Sequence, residues 1–370
     1  MGRKPFRMER TNMILSEAQL REYHTWNEIA SQTQVWEETL RAVSQSSSAN
    51  TLLARSAERQ EWLFVGCGSS FYAAEAAASL WMLLTGQRAQ ALPASEVILF
   101  PSLVRTQRRS QQAVVISRSG TTSEAVRAAR WLSQDLGVPT LALTCSPSSA
   151  LEGACDAAIA LPFADEKSTV MTRSFTCMLL ALQVLAARRA QNTVFLEELW
   201  AAARQFAPRL PTIAATLSQL VHNHSFESYI FLGQGPFYAI AREASLKVAE
   251  MSCSYSQFFH TLEFRHGPKA IVGSQTCLMF FLSSAGAEAE AEVLGEMKEL
   301  GGVTIAVCHR AHEGIREASD MILETGCQGS ELSRLAPHVV PGQLLGLLSG
   351  LQKGLNPDQP KNLTRIVTLD

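Results

Sequence analysis

The sequence predicts an α/β protein: two doubly wound parallel-sheet domains in tandem, with a helical lead-in and an irregular tail. Three observations carry that prediction: a long internal repeat, continuously apolar β-branched runs, and helical stretches that alternate with those runs. FVGCGSSFYAAEAAASL from Phe64 resembles FLGQGPFYAIAREASL from Phe231. AVVISRSGTTSEAV from Ala113 is answered by MFFLSSAGAEAEAEV from Met279, GVPTLALT at 137–144 by GGVTIAVC at 301–308, and Asp156 by Asp320. Each match returns after nearly the same interval, far longer than the period of a solenoid, so the repeat is a duplicated domain.

In chain order, residues 1–60 read as a helical lead-in and 61–200 as the first domain. The runs 113–117 and 140–144 are apolar throughout, as expected of strands buried on both faces of a parallel sheet, and helices are expected at 122–135 and 168–190. The polar stretch 191–227 holds the boundary and is itself largely helical. The second domain, 201–354, carries the run 304–307 and helices at 237–251, 287–300 and 337–354; residues 355–370 form the tail. Each half reads strand, helix, strand, helix, strand. Helix 337–354 is apolar around most of its circumference, so it is buried on several sides, within the tandem pair or against another subunit.

Composition limits the function. Of the 370 residues 46% are hydrophobic and 18% charged, a globular balance, and 32 basic against 34 acidic residues leave a net charge of −2. That balance offers no basic footprint for nucleic acid and no polybasic membrane signal. MGRKPFRMER is followed by no apolar core and is not read as a secretory signal, and Glu75 interrupts the most apolar stretch, 73–84. Eight cysteines without a CxxC pair and eight histidines without HExxH spacing suggest reduced thiols in a cytoplasmic protein, with no metal and no cofactor.

Two groups of residues could carry chemistry. The loop Ser117-Arg118-Ser119-Gly120-Thr121-Thr122-Ser123 joins a buried strand to a helix, and five of its seven residues bear hydroxyls. Thr121 and Glu124 read as a capping box, and the partial positive charge of a helix start suits a phosphate. The ordinary alternative is a Ser/Thr-rich turn. Gly66-Cys67-Gly68-Ser69-Ser70 lacks the third glycine of a dinucleotide fingerprint, yet Ser70 could offer a hydroxyl across the crevice. The second copy of the hydroxyl loop reads SAGAEAE, with acids that would repel a phosphate. The second half has instead Glu243, Lys247 and Glu250 on one helical face, whose ordinary reading is a solvated ion pair. His266 follows in the charged turn LEFRHGPK.

Together these segments resemble the sugar isomerase (SIS) family in its tandem form, as found in the isomerase half of glucosamine-6-phosphate synthase and in amino-sugar-phosphate deaminase/isomerases. The resemblance begins at Thr25-Trp26-Asn27-Glu28-Ile29, runs through GCGSS, ISRSGTTSE, STVMTRSF, REASLKVAE and FRHGPKA, and ends in DQPKNLTRIVTLD. It implies flavodoxin-like domains, a homodimer and a phosphorylated sugar or amino sugar as substrate. By resemblance, Ser70, Ser117, Arg118, Ser119 and Thr122 hold the phosphate, and Val170 and Thr172 line the sugar chain. Glu250 is the base moving a proton between C1 and C2, Lys247 its neighbour, and His266 opens the sugar ring from the neighbouring subunit. Arg365 stands where the synthase has a Schiff-base lysine; arginine stays protonated and is at best an electrostatic contact. A glutaminase domain is not expected. The function implied is a phosphosugar aldose–ketose isomerase, more narrowly an amino-sugar-phosphate deaminase/isomerase. A synthase-like transaminase without its glutaminase and a non-catalytic sugar-phosphate sensor are the alternatives.

Overall fold

A strand whose residues are all apolar must be covered on both faces, and the repeated runs fold accordingly. A computed structural model describes residues 16–55, 61–104 and 110–367; the MGRKPFRMER segment lies outside them. In the first half, β1 (Glu61–Gly66), β2 (Arg88–Pro93), β3 (Gln111–Ser117), β4 (Thr140–Thr144) and β5 (Ala157–Ala160) form a parallel sheet in the order β2-β1-β3-β4-β5. In the second, β6 (Ser228–Gly233), β7 (Tyr255–His260), β8 (Thr276–Phe281), β9 (Val303–Cys308) and β10 (Met321–Glu324) repeat that order as β7-β6-β8-β9-β10. This is the flavodoxin-like, doubly wound order, with its switch point between the first and third strands of each half.

Each sheet therefore has five strands where the pattern of apolar runs suggested three. The unanticipated strands are edge or outer ones: β2 and β7 are broken by polar residues and only partly buried, so they lack the continuous apolar signature. The duplication nevertheless extends to single hydrogen bonds. Asp156 Oδ2 accepts from Thr140 N at 2.7 Å and Oγ1 at 2.9 Å, and Asp320 Oδ2 accepts from Thr304 N at 2.9 Å and Oγ1 at 3.0 Å.

The helices follow the chain in order. The lead-in contains α1 (Glu17–Leu20), α2 (His24–Ala30), α3 (Gln32–Ser44) and α4 (Ser47–Arg55). The first half adds α5 (Ser69–Thr85), α6 (Ala94–Leu99), α7 (Ser123–Arg130) and α8 (Arg173–Arg189), and α9 (Thr193–Phe206) and α10 (Leu210–Asn223) span the boundary stretch. The second half has α11 (Pro236–Ser252), α12 (Ala287–Glu299), α13 (Glu313–Ala318) and α14 (Leu335–Gln352). Successive strand residues face opposite ways, so Trp62 and Phe64 join a central core shared with α5, α8, α11 and α14, while Leu63 and Val65 join an outer core under α6 and α7.

Two helix limits differ from expectation, and the surroundings of a third helix are resolved. α7 stops at Arg130 and the chain closes with one π-turn, Trp131–Asp135. α8 starts at Arg173 rather than 168, because carboxylates of Glu28 and Glu166 take the backbone N–H groups of the preceding segment. α14 is buried along its length inside this chain, packed on α11, so its apolar circumference calls for no second subunit. Gly342, Gly346 and Gly350 bring it against the α11 backbone; a methyl group at Gly346 would meet the Lys247 carbonyl at 2.7 Å.

Candidate active site

The hydroxyl loop leaves the carboxyl end of β3, next to the Gly66–Ser70 loop that leaves β1, because β1 and β3 pair in the sheet. Gly120, at φ +64°, turns the chain, and its N–H donates to Ser117 Oγ at 3.2 Å. The expected Thr121–Glu124 capping box does not form: Thr122 is the cap residue and its side chain makes no cap bond. Thr121 N and Oγ1 both donate to Ser119 Oγ at 3.2 Å, which commits Thr121 to the loop. The Thr122 hydroxyl lies 3.2 Å from Ser117 Oγ and 3.5 Å from Ser119 Oγ, so three hydroxyls gather at one helix start.

They border a cavity of roughly 270 Å³ that also meets Cys67, Ser69 and Ser70 from the neighbouring loop, Thr169 and Met171, Leu246 and Glu250 of α11, and Thr364, Arg365 and Val367 of the tail. Val170 and Thr172, expected at the sugar chain, send their side chains the other way. Val170 packs into the central core and Thr172 Oγ1 donates to Glu166 Oε1 at 2.8 Å; in this extended segment the alternate residues, Thr169 and Met171, face the cavity.

Arg118 also lines the cavity, but its guanidinium is bonded to protein partners. Buried, it donates to the carbonyls of Thr169 at 2.8 Å, Val170 at 3.1 Å and Arg365 at 3.4 Å, and pairs with Glu166 at 3.3 Å. It thereby ties the hydroxyl loop to both the 166–172 segment and the tail. Arg365 is exposed in part and pairs with Asp165 at 2.6 Å. Two further carboxylates complete this brace: Glu28 holds Lys167 N at 2.6 Å, and Asp358 holds Thr25 N and Oγ1 at 2.7 Å while its carbonyl accepts from Thr169 N at 2.9 Å. Glu28 and Asp358 sit in the opening and closing segments singled out from sequence, whereas Glu166 lies in no segment singled out there, although two of its partners, Thr172 and Ser174, are close in the chain.

The Glu243–Lys247–Glu250 cluster, whose Glu250 lines the same cavity, is no surface ion pair. Lys247 and Glu243 are fully buried. Lys247 Nζ lies 2.5 Å from Glu250 Oε2, 3.4 Å from Glu243 Oε1 and 3.3 Å from Ser69 Oγ, and Ser69 Oγ donates to Glu243 Oε1 at 3.1 Å. Ser69, passed over in the sequence for its neighbour Ser70, is thus the first-half side chain bonded into this cluster. Burial pulls the Lys247 ammonium down, but Glu243 and Glu250 outweigh it and hold it above its ordinary value. Burial, reinforced by the Glu250 charge, pushes the Glu243 carboxyl up to about 8 despite Lys247. One ammonium serves two carboxylates and sits nearer Glu250, so the surplus proton falls on Glu243. A carboxylate so paired, lining a cavity that the loop hydroxyls also line, suits proton transfer on an anchored substrate.

His266 is not among these residues. It is exposed, at the end of the turn Glu263–Arg265, and does not line the cavity of its own chain.

The second half keeps the turn but closes it. Gly286 N donates to Ser283 Oγ at 2.9 Å, matching the Gly120–Ser117 bond. Glu290 Oε2 then takes Ser283 N at 2.7 Å, and Glu331 Oε2 takes Ser284 N at 2.8 Å and Ala285 N at 3.4 Å. Beyond repelling an anion, the protein's own carboxylates occupy the donors. Among the described residues no group of three or more His, Cys, Asp or Glu is placed to hold a metal ion, and no helix is long and apolar enough to cross a membrane. The eight cysteines are unbridged.

The SIS domain family model matches residues 57–188 and 225–334. The chain is 28% identical over 380 residues to a D-galactosamine-6-phosphate deaminase of Shewanella sp., covering 96% of this chain and 93% of that protein. It is also 28% identical over 331 residues to the isomerizing glutamine–fructose-6-phosphate aminotransferase of Pyrobaculum aerophilum, covering 87% of this chain and 53% of that one; the chain spans about half the length of that relative. Among solved structures, glucosamine-6-phosphate deaminase of Thermotoga maritima superposes with a TM-score of 0.75 at 27% identity, over 94% of this chain and 100% of that one. Tagatose-6-phosphate ketose/aldose isomerase of Escherichia coli shares the fold, with a TM-score of 0.82 at 21% identity over 95% and 98% of the two chains.

Proposed function

The chain belongs to the SIS domain family, and from that premise we propose that it is an enzyme, a phosphosugar aldose–ketose isomerase and more narrowly an amino-sugar-phosphate deaminase/isomerase. One observation carries the reading: a single cavity is lined both by the Ser117, Ser119 and Thr122 hydroxyls of the first half and by Glu250 of the second, which is ion-paired to buried Lys247. In this reading residues 61–200 anchor the phosphate and 201–354 supply the acid–base chemistry. The unit is a homodimer in which His266 of one copy assists ring opening at the site of the other. Unbridged cysteines suit a reducing cytoplasm.

The chemistry follows from that geometry. Ser119 and Thr122 hold the phosphate, with Ser70 and Ser117 beside them, and this remote binding fixes C1 and C2 against Glu250. In the open-chain 2-amino aldose, Glu250 takes the C2 proton and the electron pair moves toward C1, whose oxygen is protonated. Lys247 lies beside the carboxylate, offsetting the charge that develops. Glu250 returns the proton to C1, leaving an imine at C2. Water adds to that carbon, the C–N bond breaks, and ammonia leaves with a ketose phosphate as product. Positioned proton transfer of this kind contributes about 10²–10⁴-fold. Arg365 and the absence of a lysine among the described lining residues favour hydrolysis of a substrate imine over an imine with the enzyme.

The test is a screen of phosphosugars and amino-sugar phosphates read for isomer and ammonia, followed by Glu250→Gln on the active substrate. The variant is expected to bind the phosphosugar yet lose solvent-deuterium exchange at the carbon next to the carbonyl. Exchange at the wild-type rate would remove Glu250 from the role of base.

A further inference from the structure

The Lys247 ammonium has three protons, and three acceptors surround it. Two are on its own helix: Glu250 Oε2 at 2.5 Å and Glu243 Oε1 at 3.4 Å. The third, Ser69 Oγ at 3.3 Å, belongs to α5 in the other half of the molecule. Ser69 is buried, and its hydroxyl is not spent on its own helix, where Gly68 is the cap residue and no side chain caps the start. It donates to Glu243 Oε1 at 3.1 Å, while Glu243 Oε2 has no hydrogen-bond partner among the described residues. Glu243 is therefore held through one oxygen, by Ser69 and Lys247 alone. Ser69 also lines the substrate cavity.

We propose that Ser69 is a positioning residue for the proton-transfer step: through Lys247 and Glu243 its hydroxyl sets how tightly the ammonium grips Glu250, and it registers α11 against the half that anchors the phosphate. The inference rests on the role of Glu250 proposed above. The charged groups facing the cluster are Glu243 and Glu250 on α11, Glu166 with its partner Arg118 in the first half, and Arg365 of the tail at the cavity wall. None of the others replaces a lost hydroxyl, because Arg118 and Arg365 are committed to Glu166 and Asp165. Without Ser69 Oγ, Glu243 loses its hydroxyl donor and is held further toward its neutral form. Lys247 then has one close acceptor, Glu250. A tighter pair holds the Glu250 carboxylate against the ammonium and makes it a weaker base.

Ser69→Ala is accordingly expected to lower kcat by about tenfold or more, to leave KM for the phosphosugar within about twofold, and to move the acid limb of the kcat–pH profile to lower pH. Ser69→Thr keeps the hydroxyl and is expected to restore both kcat and the limb. A structural role alone would lower the active fraction and leave the limb in place. An unmoved limb, or a loss of activity that threonine does not reverse, overturns the inference. Where Ser69→Ala does not fold, Ser69→Cys reports the same quantity: a limb displaced in the same direction supports the proposal and an unmoved one refutes it. The two readings fail separately. If Glu250→Gln keeps deuterium exchange, the base assignment falls whatever Ser69 does. If exchange is lost and Ser69→Ala keeps the wild-type profile, only the role of Ser69 falls.

Discussion

One ammonium shared by two carboxylates leaves an excess of acid inside the protein, and its consequence is a pH-dependent stability. Glu243 titrates near its ordinary 4.5 in the unfolded chain and is pushed up to about 8 by burial in the folded one. Between those values the native state binds a proton that the unfolded state has released. The stabilisation is therefore complete below about 4.5, declines as pH rises, and is gone once pH passes about 8. Glu290, raised to about 7 by burial, acts in the same direction over the lower part of that window. Glu243→Gln removes the larger titration while keeping the shape of the side chain. The fall in unfolding free energy from pH 5 to pH 8, of the order of a few kcal/mol, is expected to flatten in the variant when urea midpoints are compared. An unchanged slope would mean that Glu243 stays ionised in the native state.

At the scale of elements, the cavity depends on segments without regular structure. The 166–172 strip and the tail take their shape from four groups: Arg118, Glu166, Glu28 and Asp358. Arg118 is the hub, because a planar guanidinium can reach three carbonyls and a carboxylate at once. A lysine at this position keeps the charge and loses the fork. Arg118→Lys is expected to cost about 1–3 kcal/mol in stability, to expose the tail beyond α14 to protease, and to raise KM for the phosphosugar about tenfold. Limited proteolysis beside a substrate titration measures both effects; a variant cut and saturated like the wild type would show that the remaining three groups suffice. The closed loop of the second half belongs to the same scale. Its donors are met by Glu290 and Glu331, which leaves the first-half loop as the open copy of the pair.

In the whole molecule, α5, α11 and α14 are packed into one layer between the two sheets, so the phosphate anchor and the acid–base cluster are held by a common core. That layer explains why the cluster is buried although its helix carries four charged residues, Arg242, Glu243, Lys247 and Glu250. It does not reach His266, which stays exposed and apart from its own chain's cavity. Mixing two inactive variants, His266→Ala and the double variant Ser119→Ala/Thr122→Ala, separates a shared site from a self-contained one. In a two-fold dimer with shared sites, each mixed dimer holds one intact site, and up to about half of that species' full activity is expected to return. No recovery after verified subunit exchange would assign His266 to its own chain.

The sequence by itself determined the fold class, the duplication and the hydroxyl loop, because each is written in local pattern: apolar runs, helical spacing, a repeated Asp156/Asp320. It also put Glu243, Lys247 and Glu250 on one helical face, but left open whether water or protein surrounds them. Only tertiary structure decided that, since burial depends on α5 and α14 packing against α11 from distant parts of the chain. The same holds for the edge strands β2 and β7, whose ladders come from neighbours rather than from their own residues. It holds too for Arg118, to which the family resemblance gives a phosphate contact and whose guanidinium also bonds three carbonyls from distant parts of the chain. Periodicity is a property of a segment, whereas the partner of a buried charge is a property of the packed whole.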